Sequence, residues 1–429
     1  MVVNIALGKD GMIRITGPAR IDVKRGKILL VGASYGAGSS VVIHSLRSYC
    51  IKALEETELA ITLGSGATVE EPSEGEEVLD VWLKICDDLA GDLNNLKNIE
   101  VFVVGPIESG KTTLSAFISN YFIQRGRRVA IIDADIGQED IAIPTTIALT
   151  EPKHTFVWQR DLRPVKIKFV GCISPQYCQA QLMIALNELL SESKNNYEVI
   201  VVNTDGWVTT HQALEFKLNM IKWLKPTHVL VLDQEIWEYL SNALPSDIKV
   251  INVPRPFKVK ERSREDRRRL RAEAYRRYFS EAKDRDLNIK DVKLIGSCLL
   301  NGKKISTDEL KSLVKAPEEF INKVIHASKY FNAINIFVEN IAYIPRIEAV
   351  QGYEVNIVRP QDIEGLIVGI VDDKLRDVAV GIIRKLDLKN GIIKVFTPWR
   401  GNIKALIVGR VKVSLNTFED STRISRCVI

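Results

Sequence analysis

The chain has 429 residues, 46% hydrophobic and 26% charged, with a formal net charge of +5. It is too long for one compact core and too apolar for a disordered polymer, so two or three folded domains are expected. No run approaches the ~18 apolar residues of a membrane span, and the start MVVNIALGKDGM lacks the basic leader and apolar core of a signal peptide, which excludes a membrane role and predicts a cytoplasmic protein, or a nuclear one in a eukaryote.

The six cysteines lie apart without a CxxC pair, which argues against a structural zinc site or a disulfide framework. Charge is unevenly spread: residues 1–97 hold ten basic and fourteen acidic side chains, net −4, leaving +9 for the remainder. Basic charge gathered in one segment points to a local anionic partner more than to general adhesion to nucleic acid.

Residues 1–72 show short alternating runs punctuated by glycine (MIRITG, KILLVGAS, ELAITLGSG), which predict a small N-terminal β domain. The acidic EEPSEGEE then reads as a linker, with Ser73 and Glu76 spaced as a capping box for a helix carrying Val78, Trp82, Ile85 and Leu89 on one face. Residues 73–288 alternate apolar strands (VFVVG, RVAIID, VKIKFVG, EVIVVN, THVLVLD, IKVINV) with amphipathic helical patterns. Continuous apolar strands are buried on both faces, so a parallel sheet between helices is expected. Residues 289–429 return to β patterns (GLIVGIVDD, DVAVGIIRKLDL, GIIKVFT, KALIVGRVKV), with Asn390-Gly391 offering a tight hairpin turn. The fold class is therefore α/β, with small β domains on either side.

GPIESGKTT, comprising Gly105, Pro106, Ile107, Glu108, Ser109, Gly110, Lys111, Thr112 and Thr113, follows a strand and opens a helix. That spacing and context are those of a phosphate loop. Its glycines let backbone N–H groups turn toward phosphate oxygens, Lys111 reaches the β/γ-phosphates and Thr112 ligates magnesium. The next strand ends in IIDADIGQED, where Asp133 and Asp135 compete to hold magnesium or to accept a proton, and Gln138 is placed to orient a nucleophile or a metal-bound water. A guanine switch would carry [NT]KxD after a late strand; VLVLDQEIW stands there instead, which favours ATP.

FVGCISP (169–175) and NTDGW (203–207) fall at strand ends on the same rim, where ligands of parallel sheets gather. Trp207 offers a stacking face to a base or packs on a neighbouring loop. ERSREDRRRLRAEAYRRYF (261–279) holds eight arginines and four acids. A cap at Ser263 with Asp266 predicts a helix to about Lys283, lining Arg264, Arg267, Arg268 and Arg271 on one face with Arg262 just ahead of it. Leu270, Ala274 and Phe279 offer it little apolar anchorage. A basic helix alone is usually solvated or binds nucleic acid generally; behind a phosphate loop and further strands, this one reads as a swinging lid over a γ-phosphate.

Together these motifs resemble the eukaryotic and archaeal family of polynucleotide 5′-hydroxyl kinases of tRNA splicing, pre-mRNA 3′-end formation and pre-rRNA processing. The resemblance spans the chain and rests on GPIESGKTT, DADIGQ, FVGCISP, TDGW as the family's TxGW clasp, and the arginine segment as its lid. It implies a P-loop kinase core over residues 73–288, ATP on residues 105–113, magnesium on Thr112 and Asp135, and RNA or DNA 5′-hydroxyl ends as acceptors. Asp135 would be the general base beside Gln138, Thr204 and Trp207 the clasp on the acceptor, and Lys111, Arg262, Arg267 and Arg271 the charge-stabilising residues. The N-terminal β domain would help enclose the adenine. One departure stands out: Glu139, where many relatives have a small residue, is expected to alter substrate contacts. The resemblance leaves two rivals, an ATP-bound scaffold of an RNA-processing complex and a regulatory P-loop ATPase or GTPase.

Overall fold

The computed structural model describes residues 1–256, 263–339, 341–350 and 352–423. Two compact units divide the chain: Met1–Ala142, Ile147–Lys166 and Ser174–Arg267 form the first, and Ile143–Thr146, Ile167–Ile173 and Arg268–Ile429 the second.

The first unit begins with antiparallel strands between Val2 and Glu70, arranged in a four-stranded and a five-stranded sheet. Its other sheet runs in the order Thr146–Thr150, Val129–Ala134, Val199–Thr204, Ile99–Val104, His228–Val231, Lys249–Asn252. The last five are mutually parallel, as their continuous apolar sequences require. Thr146–Thr150, a strand that the sequence reading does not anticipate, pairs antiparallel with Val129–Ala134.

Helix Lys111–Ile123 is buried from Leu114 through Phe122, because the sheet takes one side and the N-terminal β region the other. At Gly32 a Cβ would lie 2.0 Å from the Phe117 carbonyl oxygen, so only glycine permits that approach. Asn120 ties the same helix down, donating through Nδ2 to Val31 O and Phe156 O at 2.7 Å and accepting from the Phe156 N–H at 3.0 Å. On the helix Leu79–Leu93, Trp82 meets Phe117 edge-on at 5.5 Å and donates to Pro254 O at 2.8 Å. The expected capping box at Ser73 and Glu76 exists only as a turn ahead of this helix: Glu76 accepts from the Ser73 N–H at 2.8 Å, but the cap position is Val78.

The second unit holds a seven-stranded sheet in the order Lys283–Asn288, Ile392–Thr397, Asp377–Asp387, Leu366–Val371, Ala405–Val413, Lys293–Ile295, with Asp420–Arg423 paired beside Ala405–Val413. The hairpin at Asn390-Gly391 forms, with Gly391 at φ 68°. One of its cores gathers Ile143, Phe169, Ile173, Tyr275, Phe279, Ile367 and Val380. A second sheet pairs Lys303–Lys304, Val324–Tyr330, Ala333–Val338 and Glu354–Val358. Cys50, Cys86, Cys172 and Cys178 are free and buried, whereas Cys298 is disulfide-bonded, a cross-link that the scattered cysteines do not announce. Among the described residues no helix is long and apolar enough to cross a membrane.

Candidate functional site

Strand Ile99–Val104 delivers the chain into the loop at Gly105, and helix Lys111–Ile123 leaves it at Gly110, which sits in the left-handed region at φ 96°. Glu108 also has positive φ, 62°. The turn thus spends two unusual backbone conformations on a concave run of N–H groups ahead of a helix N-terminus, an anion cradle. Ser109 is fully buried and its hydroxyl has no hydrogen-bond partner among the described residues. Lys111 is 6% exposed, donates to Pro106 O at 2.7 Å, and is pushed down by burial to about 8. An ammonium desolvated this far gains most from an arriving polyanion.

Asp133 and Asp135, the two candidates to hold magnesium or accept a proton, stand in different surroundings. Asp133 is fully buried and accepts from the Asp135 N–H (3.2 Å), the Asp140 N–H (2.9 Å) and Asn203 Nδ2 (3.0 Å); burial raises it to about 8. It ties the loop together. Asp135 is half-buried, and its Oδ1 accepts from the Gly137 and Gln138 N–H groups at 3.2 and 3.0 Å. Burial also raises Asp135, opposed by the nearby Lys111. Gln138 is turned onto its own loop, donating to Gly137 O at 2.9 Å.

A magnesium ion fits the donor chemistry present. It needs few protein oxygens and takes the rest from water and phosphate; the Thr112 hydroxyl and the Asp135 carboxylate are hard oxygens of that kind. The buried Asn203 donates to Thr112 Oγ1 at 3.4 Å while its own Oδ1 has no partner among the described residues. The described residues hold no cluster of three or more His, Cys, Asp or Glu side chains that could hold a metal ion.

Strand Val199–Thr204 brings the TDGW segment alongside, with Thr204 in register with Ala134. Thr204 is buried and its hydroxyl donates to Val103 O at 2.9 Å, anchoring the segment to the strand before the phosphate loop. At Gly206 a Cβ would lie 2.9 Å from the Ile107 nitrogen, so the glycine of TxGW lets this segment touch the loop apex. Trp207 stays half-buried, its ring 6.0 Å from Phe216.

The arginine helix runs from Arg264 to Tyr278, shorter than expected, with the capping box at Ser263 and Asp266 formed in both directions. In the first unit Arg267 pairs with Glu108 of the loop at 3.3 Å. In the second unit Arg271 forks onto Asp420 at 3.0–3.1 Å and Arg268 meets Glu419 at 3.1 Å. Arg262 lies outside the described residues. The expectation of poor anchorage fails: Leu270, Ala272, Ala274, Tyr275 and Phe279 are all buried, and the Tyr278 hydroxyl accepts from the Val380 N–H at 2.9 Å.

Glu139 is 1% exposed, accepts from the Ile141 and Ala142 N–H groups, and burial holds it well above the usual carboxylate range, so it shapes the turn.

Two features escape the sequence reading. Lys217 and Asp205 form a buried ion pair at 2.5 Å, and Asp205 Oδ1 accepts from the Trp207 N–H at 2.9 Å. Asp140 is gripped by Arg47 and Arg160, each at 2.8 Å; burial works to raise it, but the two guanidiniums prevail and hold it at about 2. Lys217 had a signal: it shares the helical stripe of Met220, Ile221 and Leu224, where a lysine is out of place.

Residues 105–281 match the model described as the mRNA cleavage and polyadenylation factor CLP1 P-loop. A polyribonucleotide 5′-hydroxyl-kinase of Methanocaldococcus jannaschii is 28% identical over 329 residues, covering 75% of this chain and 88% of that protein. The chain is thus similar to archaeal polyribonucleotide 5′-hydroxyl-kinases over about three quarters of its length. A polyribonucleotide 5′-hydroxyl-kinase of Pyrococcus horikoshii is 29% identical over 327 residues, 74% of this chain and 86% of its own. A CLP1 homolog of Nematostella vectensis is 29% identical over 197 residues, 42% of this chain and 44% of its own. The fold matches the solved structure of a Clp1p–Pcf11p complex with a TM-score of 0.64 at 16% identity, over 96% of this chain and 98% of that one.

Proposed function

We propose that this protein is an ATP-dependent polynucleotide 5′-hydroxyl kinase that moves the γ-phosphoryl group of ATP to the 5′-hydroxyl of RNA, with DNA as a further acceptor. The carrying observation is that a desolvated Lys111 in a phosphate loop and an Asp135 carboxylate, whose Oδ1 is fixed by two backbone amides, sit at the ends of strands Ile99–Val104 and Val129–Ala134, which flank Val199–Thr204.

Residues 105–113 hold the triphosphate. Asp135 takes the proton of the 5′-hydroxyl as the O5′–phosphorus bond forms and the bond between the γ-phosphorus and the β,γ-bridging oxygen breaks, leaving ADP. Burial of Asp135 makes it a stronger base than an ordinary carboxylate. Lys111, Arg262, Arg267 and Arg271 spread the charge on the transferring group. Thr204 anchors the clasp, and Trp207 presents its ring to the terminal nucleotide beside Gln138. A magnesium ion on Thr112 and Asp135 would neutralise phosphate charge. The boundaries 1–72, 73–288 and 289–429 remain our proposal for the functional division of the chain.

A second reading, an ATP-bound scaffold without turnover, draws support from the forked pair that occupies Arg271 with Asp420. Incubation with ATP labelled in the γ-phosphate and matched 5′-hydroxyl RNA and DNA separates the two. Label transferred to the oligonucleotide supports the kinase; co-purifying ATP that never turns over supports the scaffold.

A further inference from the structure

Strands Val324–Tyr330 and Ala333–Val338 of the second unit are joined by a two-residue turn, Phe331 and Asn332, because Tyr330 pairs with Ala333. Phe331 has φ 52°. At that place in a tight hairpin glycine or asparagine is favoured, and a bulky side chain is an outlier. Its ring is also 81% exposed, meeting the 44% exposed Tyr330 edge-on at 4.7 Å. The chain therefore sets an aromatic ring where backbone geometry asks for glycine and water asks for a polar residue. The fold gains nothing visible from it.

The flanks of this tip are basic. Edge strand Lys303–Lys304 places Lys303 directly opposite Lys329 and Lys304 opposite Ser328. Like charges facing each other across strands repel. Lys303 and Lys304 are exposed and have no carboxylate partner among the described residues, while Lys329 points its ammonium at the Tyr353 hydroxyl, 2.5 Å away. Because side chains alternate, cations stand on both faces of the sheet beside the exposed rings.

We propose that this tip is an auxiliary binding site for single-stranded polynucleotide, with a base stacked on Phe331 and Tyr330 and the flanking phosphates on Lys303, Lys304 and Lys329. Stacking plus backbone cations is the chemistry of sequence-tolerant single-strand binding. A protein partner fits less well, since unpaired lysines are depleted at the cores of protein interfaces. The inference rests on the polynucleotide acceptor proposed above and adds a second contact to it.

The test uses the full chain and a 5′-phosphorylated single-stranded 20-nucleotide RNA, which cannot accept a phosphoryl group, with affinity read by fluorescence anisotropy across salt concentrations. Phe331→Gly suits the left-handed turn, so Tm should hold or rise while RNA affinity falls about tenfold; Phe331→Trp should restore it. Lys303→Ser with Lys304→Ser should flatten the log–log salt slope by about 0.7 per lysine. RNA affinity within twofold of wild type in Phe331→Gly, or an unchanged slope in the lysine variant, overturns the proposal, and the ring then serves a protein partner or none. Labelled transfer to a 5′-hydroxyl trinucleotide is run alongside: its absence in the wild type would sink the kinase reading and leave the anisotropy result standing.

Discussion

Lys217 Nζ lies 2.5 Å from Asp205 Oδ2, both side chains almost wholly out of water, and the other oxygen of that carboxylate receives the Trp207 N–H. Trp207 is thus positioned by a buried charge pair. Lys217→Met would strand the Asp205 charge at a cost of about 3–5 kcal/mol, measurable by urea denaturation. Adding Asp205→Asn should recover much of that loss, because the two changes are coupled. The double variant should then raise KM for the acceptor more than it lowers kcat.

At the phosphate loop, Lys111 burdens the fold, because its ammonium is buried and, among the described residues, its hydrogen-bond acceptor is Pro106 O. Lys111→Met should therefore raise the Tm of the nucleotide-free protein while abolishing the rise that ATP and magnesium give the wild type, and transfer should vanish. A Tm equal to or below wild type without nucleotide would contradict this assignment.

Acid should find the Arg47–Asp140–Arg160 cluster. Asp140 sits at about 2 against an ordinary 3.8, so its contribution is present above 3.8 and is lost as pH falls through 2. The amount is on the order of 2 kcal/mol. In Asp140→Asn this component should be missing from the stability-versus-pH curve between pH 4 and 2, and stability near neutrality should drop by about 3–5 kcal/mol as two buried guanidiniums lose their partner.

The lid is tested by Arg267→Ala combined with Arg271→Ala. If these arginines cage the transferring group, kcat should fall by ~10³ to 10⁵ with little change in RNA affinity. Normal turnover with collapsed RNA binding would instead make the helix a nucleic-acid arm. The buried Leu270, Tyr275 and Phe279 restrict this test to charge, since neither substitution touches the anchor.

Much of this site was legible because its signals are local. GPIESGKTT carries its own spacing and its strand–helix context, and Ser263 with Asp266 forms the box that its three-residue separation implies. What escaped depends on distance along the chain. Arg47 and Asp140 are 93 positions apart and nothing local pairs them. The arginine helix ends at Tyr278 rather than near Lys283 because Lys283–Asn288 pairs as a strand with Ile392–Thr397, far along the chain. Strand Thr146–Thr150 gives no signal, because TIALT, five residues with two polar threonines, has neither a clear alternation nor a long apolar run.

The most direct measurement compares wild type and Asp135→Asn for transfer of labelled γ-phosphate to a 5′-hydroxyl RNA, with ATP binding read in parallel. The account predicts that the variant binds ATP and melts like the wild type yet transfers at least a thousandfold more slowly, on the order of what a catalytic base supplies. Transfer within a few-fold of wild type would contradict it, because Asp135 would then not be the group that takes the acceptor's proton.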